Sequence, residues 1–425
     1  MTTGVSTIRR LATTAAATAA IIAVAALAAV IAHADDWPEF RGPTGQGLAP
    51  DAPVPLEWSE TQNVTWKTPI PGLGWSSPVI AGERLWITTA VVDADEGSSL
   101  RLLAYDVATG SNTLDVEVFG SSEVSPLNPK NSLASPTPVL DPDGGRVYVH
   151  FGATGTAAVG TSGDILWRTQ FPYISQHGNG GSPILHDGRL IVSIDGYDTA
   201  YLVAVDARTG EERWRSTRPD PVSQAYSTPI SIRVGERDQI VNVSAFRTTG
   251  HDPGTGEEIW RVGYPNGFSN VPRPVYGHGL VYLSTGFQSP TLLAVRADGT
   301  GDVTRSHIAW RLSRGAPLTP SPILVGNELY LVTDFGIGTC VDALTGEIHW
   351  QQRLGGNHSA SPVFAGGRIY FQNEEGATIA VAPGTEFREL ARNRLDGSTL
   401  ASMAVADGAL FIRTDTHLYR IEEQP

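Results

Sequence analysis

Short runs of apolar residues recur along most of this chain, each bounded by Gly, Pro, Asp or Asn. Leu85-Trp86-Ile87, Val147-Tyr148-Val149, Leu190-Ile191-Val192, Leu329-Tyr330-Leu331, Ile369-Tyr370-Phe371 and Leu410-Phe411-Ile412 are examples. Their β-branched and aromatic content, and their brevity, predict strands rather than helices. A turn sequence precedes several of them: Ala81-Gly82-Glu83, His186-Asp187-Gly188, Val325-Gly326-Asn327 and Ala406-Asp407-Gly408. An apolar segment lies ahead of each turn, so each pair reads as a hairpin.

These hairpins belong to a longer repeat. A small residue followed by proline opens most units, at Pro78, Pro138, Pro183, Pro229, Pro274, Pro322 and Pro362, and an eighth unit opens at Ser402-Met403. The steps run from 40 to 60 residues, a period typical of propeller blades. A third strand ends in Asp, a Thr-Gly turn follows, and a fourth strand carries Trp. The series is Asp206, Gly210 and Trp214; Asp252, Gly256 and Trp260; and Asp342, Gly346 and Trp350. Asp accepts turn N–H groups and Gly supplies the positive φ of the reversal, while Trp offers a large apolar area to seal against the next blade.

The pattern has gaps. Gly160 replaces the Asp before Trp167, Leu114 stands where Trp is expected, and the seventh unit ends Glu389-Leu390-Ala391 without Trp. The eighth unit stops at Ile421 after three strands, whereas an unpaired strand-like segment with Trp66 in place, Val64-Thr65-Trp66-Lys67, precedes the first unit. The fold expected is all-β: an eight-bladed propeller of four-stranded antiparallel blades, closed by the N-terminal strand completing the last blade. Closure leaves only short, protected edges.

The N-terminus has a different character. Arg9-Arg10, an apolar run from Ala15 to Ala32, and Ala32-His33-Ala34 read as a secretory signal peptide over 1–34, with an uncleaved membrane anchor as the alternative. Either the general or the twin-arginine export route would accept such a start. Residues 35–62 form a Pro/Gly-rich extension, with Trp37 and Phe40 as candidate anchors over a blade or channel end, and 63–425 form the propeller. Periplasmic or extracellular localisation follows, with no membrane span in the mature chain once the signal is cleaved. No cysteine follows the apolar run, so no lipid anchor is expected there.

A formal net charge of -14 and the lack of any Lys/Arg run argue against a nucleic-acid partner. The single cysteine, Cys340, excludes an intramolecular disulfide and any CxxC site. Its place two residues before the repeat Asp marks it as a small core residue.

The Ser-Pro starts together with the Asp-x-x-Thr-Gly-x-x-x-Trp ends resemble the PQQ-like propeller superfamily, over roughly Val64 to Ile421. That superfamily includes pyrroloquinoline-quinone (PQQ)-dependent alcohol dehydrogenases and the BamB-like assembly factors of outer-membrane proteins. The opening Trp37-Pro38-Glu39-Phe40-Arg41-Gly42-Pro43 is also similar to the mature start of exported PQQ-like repeat proteins of planctomycete type. The enzymes of the superfamily imply adjacent cysteines over the quinone and Glu, Asn and Asp around Ca²⁺. This chain has one cysteine and no calcium-loop pattern, since Asp93-Ala94-Asp95-Glu96 and Asp141-Pro142-Asp143-Gly144-Gly145 suit turns better.

Inner strands begin near a channel mouth, so the residues just ahead of the proline landmarks are the candidates for any pocket. They are Trp75, Asn131, His177, Asn179, Gln224, Tyr226, Asn270, Arg273, Asn357 and His358. His177 and His358 alone merit a test for metal or acid-base work, although they fall four blades apart; His251 fits a structural turn. No catalytic residue and no metal ligand is assigned. The sequence points to a monomeric, non-enzymatic scaffold for an envelope protein or polymer, with no cofactor. The alternative is a PQQ-binding or PQQ-dependent dehydrogenase-type enzyme that uses PQQ with Ca²⁺ at the channel mouth.

Overall fold

A computed structural model describes residues 36–93, 97–121, 127–219 and 222–424; the expected signal peptide lies outside them. Eight antiparallel sheets follow one another as the blades of a propeller. Blade 1 is formed by Val79–Ala81, Arg84–Asp93, Gly97–Asp106 and Asn112–Ser121, and blade 3 by Ile184–His186, Arg189–Asp195, Ala200–Asp206 and Glu212–Thr217. The inner strands of the remaining blades are Val139–Leu140, Ile230–Val234, Val275–Gly277, Ile323–Val325, Val363–Ala365 and Ala404–Ala406, for blades 2 and 4 to 8. In blade 8 the outer strand is Val64–Pro69, antiparallel to His417–Ile421, so both ends of the chain close the ring. Among the described residues the only helical element is the 3-10 turn Gly152–Thr154, and no helix is long and apolar enough to cross a membrane.

The core lies between blades rather than within one. Val79, Trp86 and Leu102 of blade 1 pack with Val147 and Val149 of blade 2, and Val241 and Val243 of blade 4 pack with Val281 and Leu283 of blade 5. Cys340 is fully buried in such a seam. These strands alternate in facing direction, so one blade contributes apolar residues to two seams.

Outer-strand tryptophans seal the seams by a shared device. Trp66, Trp167, Trp214 and Trp310 each donate Nε1–H at 2.9 Å to a carbonyl in the outer turn of the next blade, those of Val107, Ala207, Pro253 and Ala343. Each indole lies flat against that turn's glycine: a Cβ on Gly110, Gly210, Gly256 or Gly346 would fall within 2.7 Å of it. Glycine is therefore needed twice, for its positive φ and for the approach of the ring. Trp260 departs from the pattern. Its Nε1 donates to Gln239 Oε1 at 2.8 Å in its own blade, and Gln239 Nε2 passes the link to the Ala297 carbonyl of blade 5 at 3.3 Å. Blade 5 lacks the Asp-x-x-Thr-Gly turn, and the glutamine bridges the altered gap.

Candidate functional site

The Ser/Thr-Pro pairs have a structural cause beyond strand initiation. The backbone N–H of the residue before the landmark proline donates to the hydroxyl at the same place one blade on in six of the seven cases, Thr228 being the exception. Ser77 N donates to Thr137 Oγ1, Thr137 N to Ser182 Oγ, and Ser182 N to Thr228 Oγ1, all at 2.9 Å. After blade 5 the relay resumes: Arg273 N donates to Ser321 Oγ at 2.9 Å, Ser321 N to Ser361 Oγ at 3.0 Å, and Ser361 N to Ser402 Oγ at 2.9 Å. Only blade 5 lacks the hydroxyl, because Arg273 occupies its place.

That exception receives the N-terminal extension. Trp37 exchanges two 2.8 Å backbone bonds with Ile80 near the lower end of blade 1's inner strand, and Leu140 N donates to the Pro38 carbonyl at 2.8 Å. The chain then rises into the channel, where Arg273 donates to the Phe40 carbonyl and, at 2.9 Å, to Glu39 Oε1. It descends along blade 7, Leu48–Ala49 pairing in parallel with Val363–Ala365. Farther out, Arg368 and Tyr370 donate to the Val54 and Pro55 carbonyls at 3.1 and 3.0 Å. The extension is thus a hairpin plug inserted from the lower face.

Above the plug is a cavity of about 760 Å³ at the upper mouth, where the inner strands begin. Phe40 lines its floor, together with the seven hydroxyl residues of the relay. Its walls include Trp75, Tyr226, Phe268 and Ser359, and its rim carries Tyr197, Phe287 and Phe335 from the loops between second and third strands of blades 3, 5 and 6. These rim aromatics are 48%, 52% and 70% exposed, far more than the wholly buried aromatics of the seams. Phe246, Phe268 and Phe287 step along one side with ring centroids about 6 Å apart.

Charge is sparse at the mouth and buried beneath it. Lys130, in the loop ahead of blade 2, reaches Glu374 of blade 7 at 2.7 Å, and Glu374 also accepts from Ser359 Oγ at 2.6 Å. Asp334 Oδ2 accepts the N–H groups of Leu318 and Thr319 at 2.8 and 3.2 Å. Below, Arg41 is 1% exposed and bonds only the carbonyls of Gln46 and Pro362, at 2.9 and 3.4 Å; its Nε and Nη1 are unpartnered. Burial, then the charge of Arg273, pulls its pKa down to about 9.

The family model of the outer membrane protein assembly factor BamB matches residues 122–308 and 249–387, more than half of the chain. The chain belongs to this PQQ-like propeller family. Among solved structures, the PQQ-like propeller is similar to BamB from Moraxella catarrhalis, with a TM-score of 0.62, 11% identity, and 85% of this chain and 97% of that chain covered. It is also similar to a europium-containing methanol dehydrogenase, with a TM-score of 0.61, 11% identity and 92% of each chain covered. A quinohemoprotein alcohol dehydrogenase from Pseudomonas putida HK5 aligns with a TM-score of 0.61 and 10% identity over 92% of this chain and 81% of that one. At such identities these likenesses speak for the fold alone. A curated relative, the serine/threonine-protein kinase AfsK of Streptomyces griseus, is 23% identical over 290 residues, 64% of this chain; the alignment spans 34% of the length of that protein.

The residues ahead of the prolines divide in this propeller. Trp75, Asn131, His177 and Tyr226 line the cavity. Gln224, Asn270, Arg273 and His358 do not, and each is at most 1% exposed. Asn270 Nδ2 donates to the Ser244 carbonyl at 2.6 Å and its Oδ1 accepts from Gly286, which makes it a brace. Gln224 accepts from the Tyr226 hydroxyl. His358 Nε2 lies 3.1 Å from the Gly355 carbonyl, and burial pulls its pKa below the ordinary value. Asn179 approaches the Gly181 carbonyl at 3.4 Å, and Asn357 N meets the Glu375 carboxylate at 3.2 and 3.3 Å. His251, fully enclosed, bonds the Gly256 carbonyl and Thr249 Oγ1 at 3.1 and 2.8 Å.

Phe40, expected as an anchor over a channel end, lines the cavity floor, whereas Tyr197, Phe287, Phe335 and the relay hydroxyls lie outside the set of residues expected to line a pocket. A detectable signal existed for the rim, since its aromatics fall between the second and third strands, which must turn over on the same face as the strand starts.

Proposed function

We propose that this PQQ-like propeller is an exported, non-enzymatic scaffold that binds an envelope protein or polymer through its upper mouth. The observation that carries this reading is the exposed aromatic rim of Tyr197, Phe287 and Phe335 over a channel stoppered by its own N-terminal segment. Exposed aromatics clustered on one rigid face favour partner binding, because their apolar area gains from burial while little side-chain freedom is lost. The family's assembly-factor description supports the same class of role.

The residues present do not fit the PQQ and Ca²⁺ alternative. Among the described residues no three His, Cys, Asp or Glu side chains gather where they could share a cation. Among the described residues Asp334 is the one acidic side chain in the cavity lining, and one of its oxygens is occupied by backbone N–H groups.

A photo-crosslinking residue at position 335 or 287 in the source cells tests the scaffold. The expected result is a discrete adduct absent when the probe stands at Asp187, on the opposite face. Equal labelling from both faces overturns it, as does a Ca²⁺-dependent rise in melting temperature with PQQ, because a ligand of the native state raises its stability.

A further inference from the structure

The hydroxyl relay leaves a set of donors unused. Six of its hydroxyls accept a backbone N–H. A hydroxyl keeps one proton to donate, and among the described residues none of these six gives it to a protein acceptor; the Ser77 hydroxyl makes no bond at all. All seven line the cavity. Six of the seven oxygens are oriented by the N–H they accept, and their protons, with that of Ser77, are free to turn toward the cavity.

Behind the Phe40 floor the guanidinium of Arg41 has, among the described residues, two unpartnered N–H-bearing nitrogens and no carboxylate bonded to it. The Glu39 carboxylate is already taken by Arg273 at 2.9 Å. A buried cation without a counter-ion is costly, and it stands out in a chain of net charge -14. Donors and positive charge thus converge on one end of the channel, opposite in sign to the molecule as a whole.

We propose that the floor of this cavity binds a small oxyanion, a carboxylate or phosphate, through the hydroxyl ring with Arg41 as the countercharge behind it. The aromatic walls of Phe268 and Trp75 would then receive the less polar part of the molecule that bears the anion. This inference rests on reading the upper mouth as the binding face and gives the chemistry of what it takes.

Titration calorimetry of the purified protein with sodium phosphate and with sodium citrate, against sodium chloride at equal ionic strength, tests it. Saturable binding of at least one oxyanion is expected, since adsorption elsewhere on an acidic surface is disfavoured. Ser77→Ala should weaken it by about 3- to 10-fold, the usual effect of removing a neutral hydrogen-bond partner, and Arg41→Gln by about 10-fold, through loss of the buried countercharge behind the floor. Ser77 makes no side-chain bond among the described residues, so its variant keeps the test valid should Arg41→Gln fail to fold. Absence of saturable binding, a chloride response equal to that of the oxyanions, or unchanged affinity in Ser77→Ala overturns the proposal. If crosslinking from position 335 persists in that case, the scaffold reading stands alone; oxyanion binding without position-specific crosslinking removes the scaffold and leaves the anion site.

Discussion

Arg273 Nη2 lies 2.9 Å from Glu39 Oε1, an ion pair between blade 5 and the hairpin threaded through the channel. The arginine side chain is 1% exposed and the carboxylate 17%. Replacing Arg273 by Met leaves that carboxylate enclosed without its partner, and a loss of about 3–5 kcal/mol is expected. Adding Glu39→Gln should restore a large part of it. Urea unfolding of the single and double variants measures both effects; a single variant as stable as the parent would show that the plug is not held by this pair.

Two glycines of similar backbone separate conformation from packing. Gly210 has φ +77° and a Cβ there would stand 2.7 Å from the indole of Trp167, whereas Gly188 has φ +68° and open space around it. Gly188→Ala should cost about 1 kcal/mol, the left-handed penalty alone. Gly210→Ala should cost about 2–4 kcal/mol, because overpacking of the blade 2–3 seam is added. Equal melting temperatures for the two variants would contradict the seam geometry.

Gln239 carries the link that Trp260 cannot make directly. In Gln239→Ala the indole N–H and the Ala297 carbonyl both lose their partner, and about 2–4 kcal/mol of destabilisation is expected. Chemical denaturation followed by tryptophan fluorescence reports it, with Trp260 itself responding to the change of environment.

Acid should weaken the fold through a buried imidazole. His150 Nδ1 contacts Thr156 Oγ1 at 2.8 Å, Nε2 has no partner, and burial pulls its pKa from 6.5 down to about 3. The unfolded chain binds a proton below about pH 6.5 that the folded chain refuses until about pH 3. This contribution is therefore fully present above pH 6.5 and is lost as pH falls toward 3, at up to about 1.4 kcal/mol per pH unit. His251 and His358, also depressed by burial, act with the same sign. His150→Gln should flatten the stability profile between pH 6 and pH 4 by about one proton's slope; an unchanged slope would place the titration elsewhere.

The sequence by itself determined the repeat, and with it the ring. Turn glycines, the Asp-x-x-Thr-Gly reversals and the apolar alternation are local signals, repeated often enough that a missing outer strand in the last unit and a spare one before the first imply each other. The pairing of Val64–Pro69 with His417–Ile421 follows that logic. Even so, the Ser or Thr before all but one of the prolines reads as punctuation in the sequence, because its partner is the equivalent residue in the next blade and becomes visible only when the blades are set side by side.

Tertiary structure decided the rest. Arg273 and Glu39 are separated by 234 residues, and nothing periodic connects them. The plug belongs to no repeat, and it meets the ring at the one blade that lacks the relay hydroxyl and along the inner edge of blade 7. Closing the ring also sorted the residues ahead of the prolines: His177 and Tyr226 were left on the cavity, while Asn270 and His358 were enclosed by neighbouring loops. A repeat specifies what adjacent strands do to one another, whereas a mouth is built from loops on blades far apart in the chain, whose spacing no local pattern records.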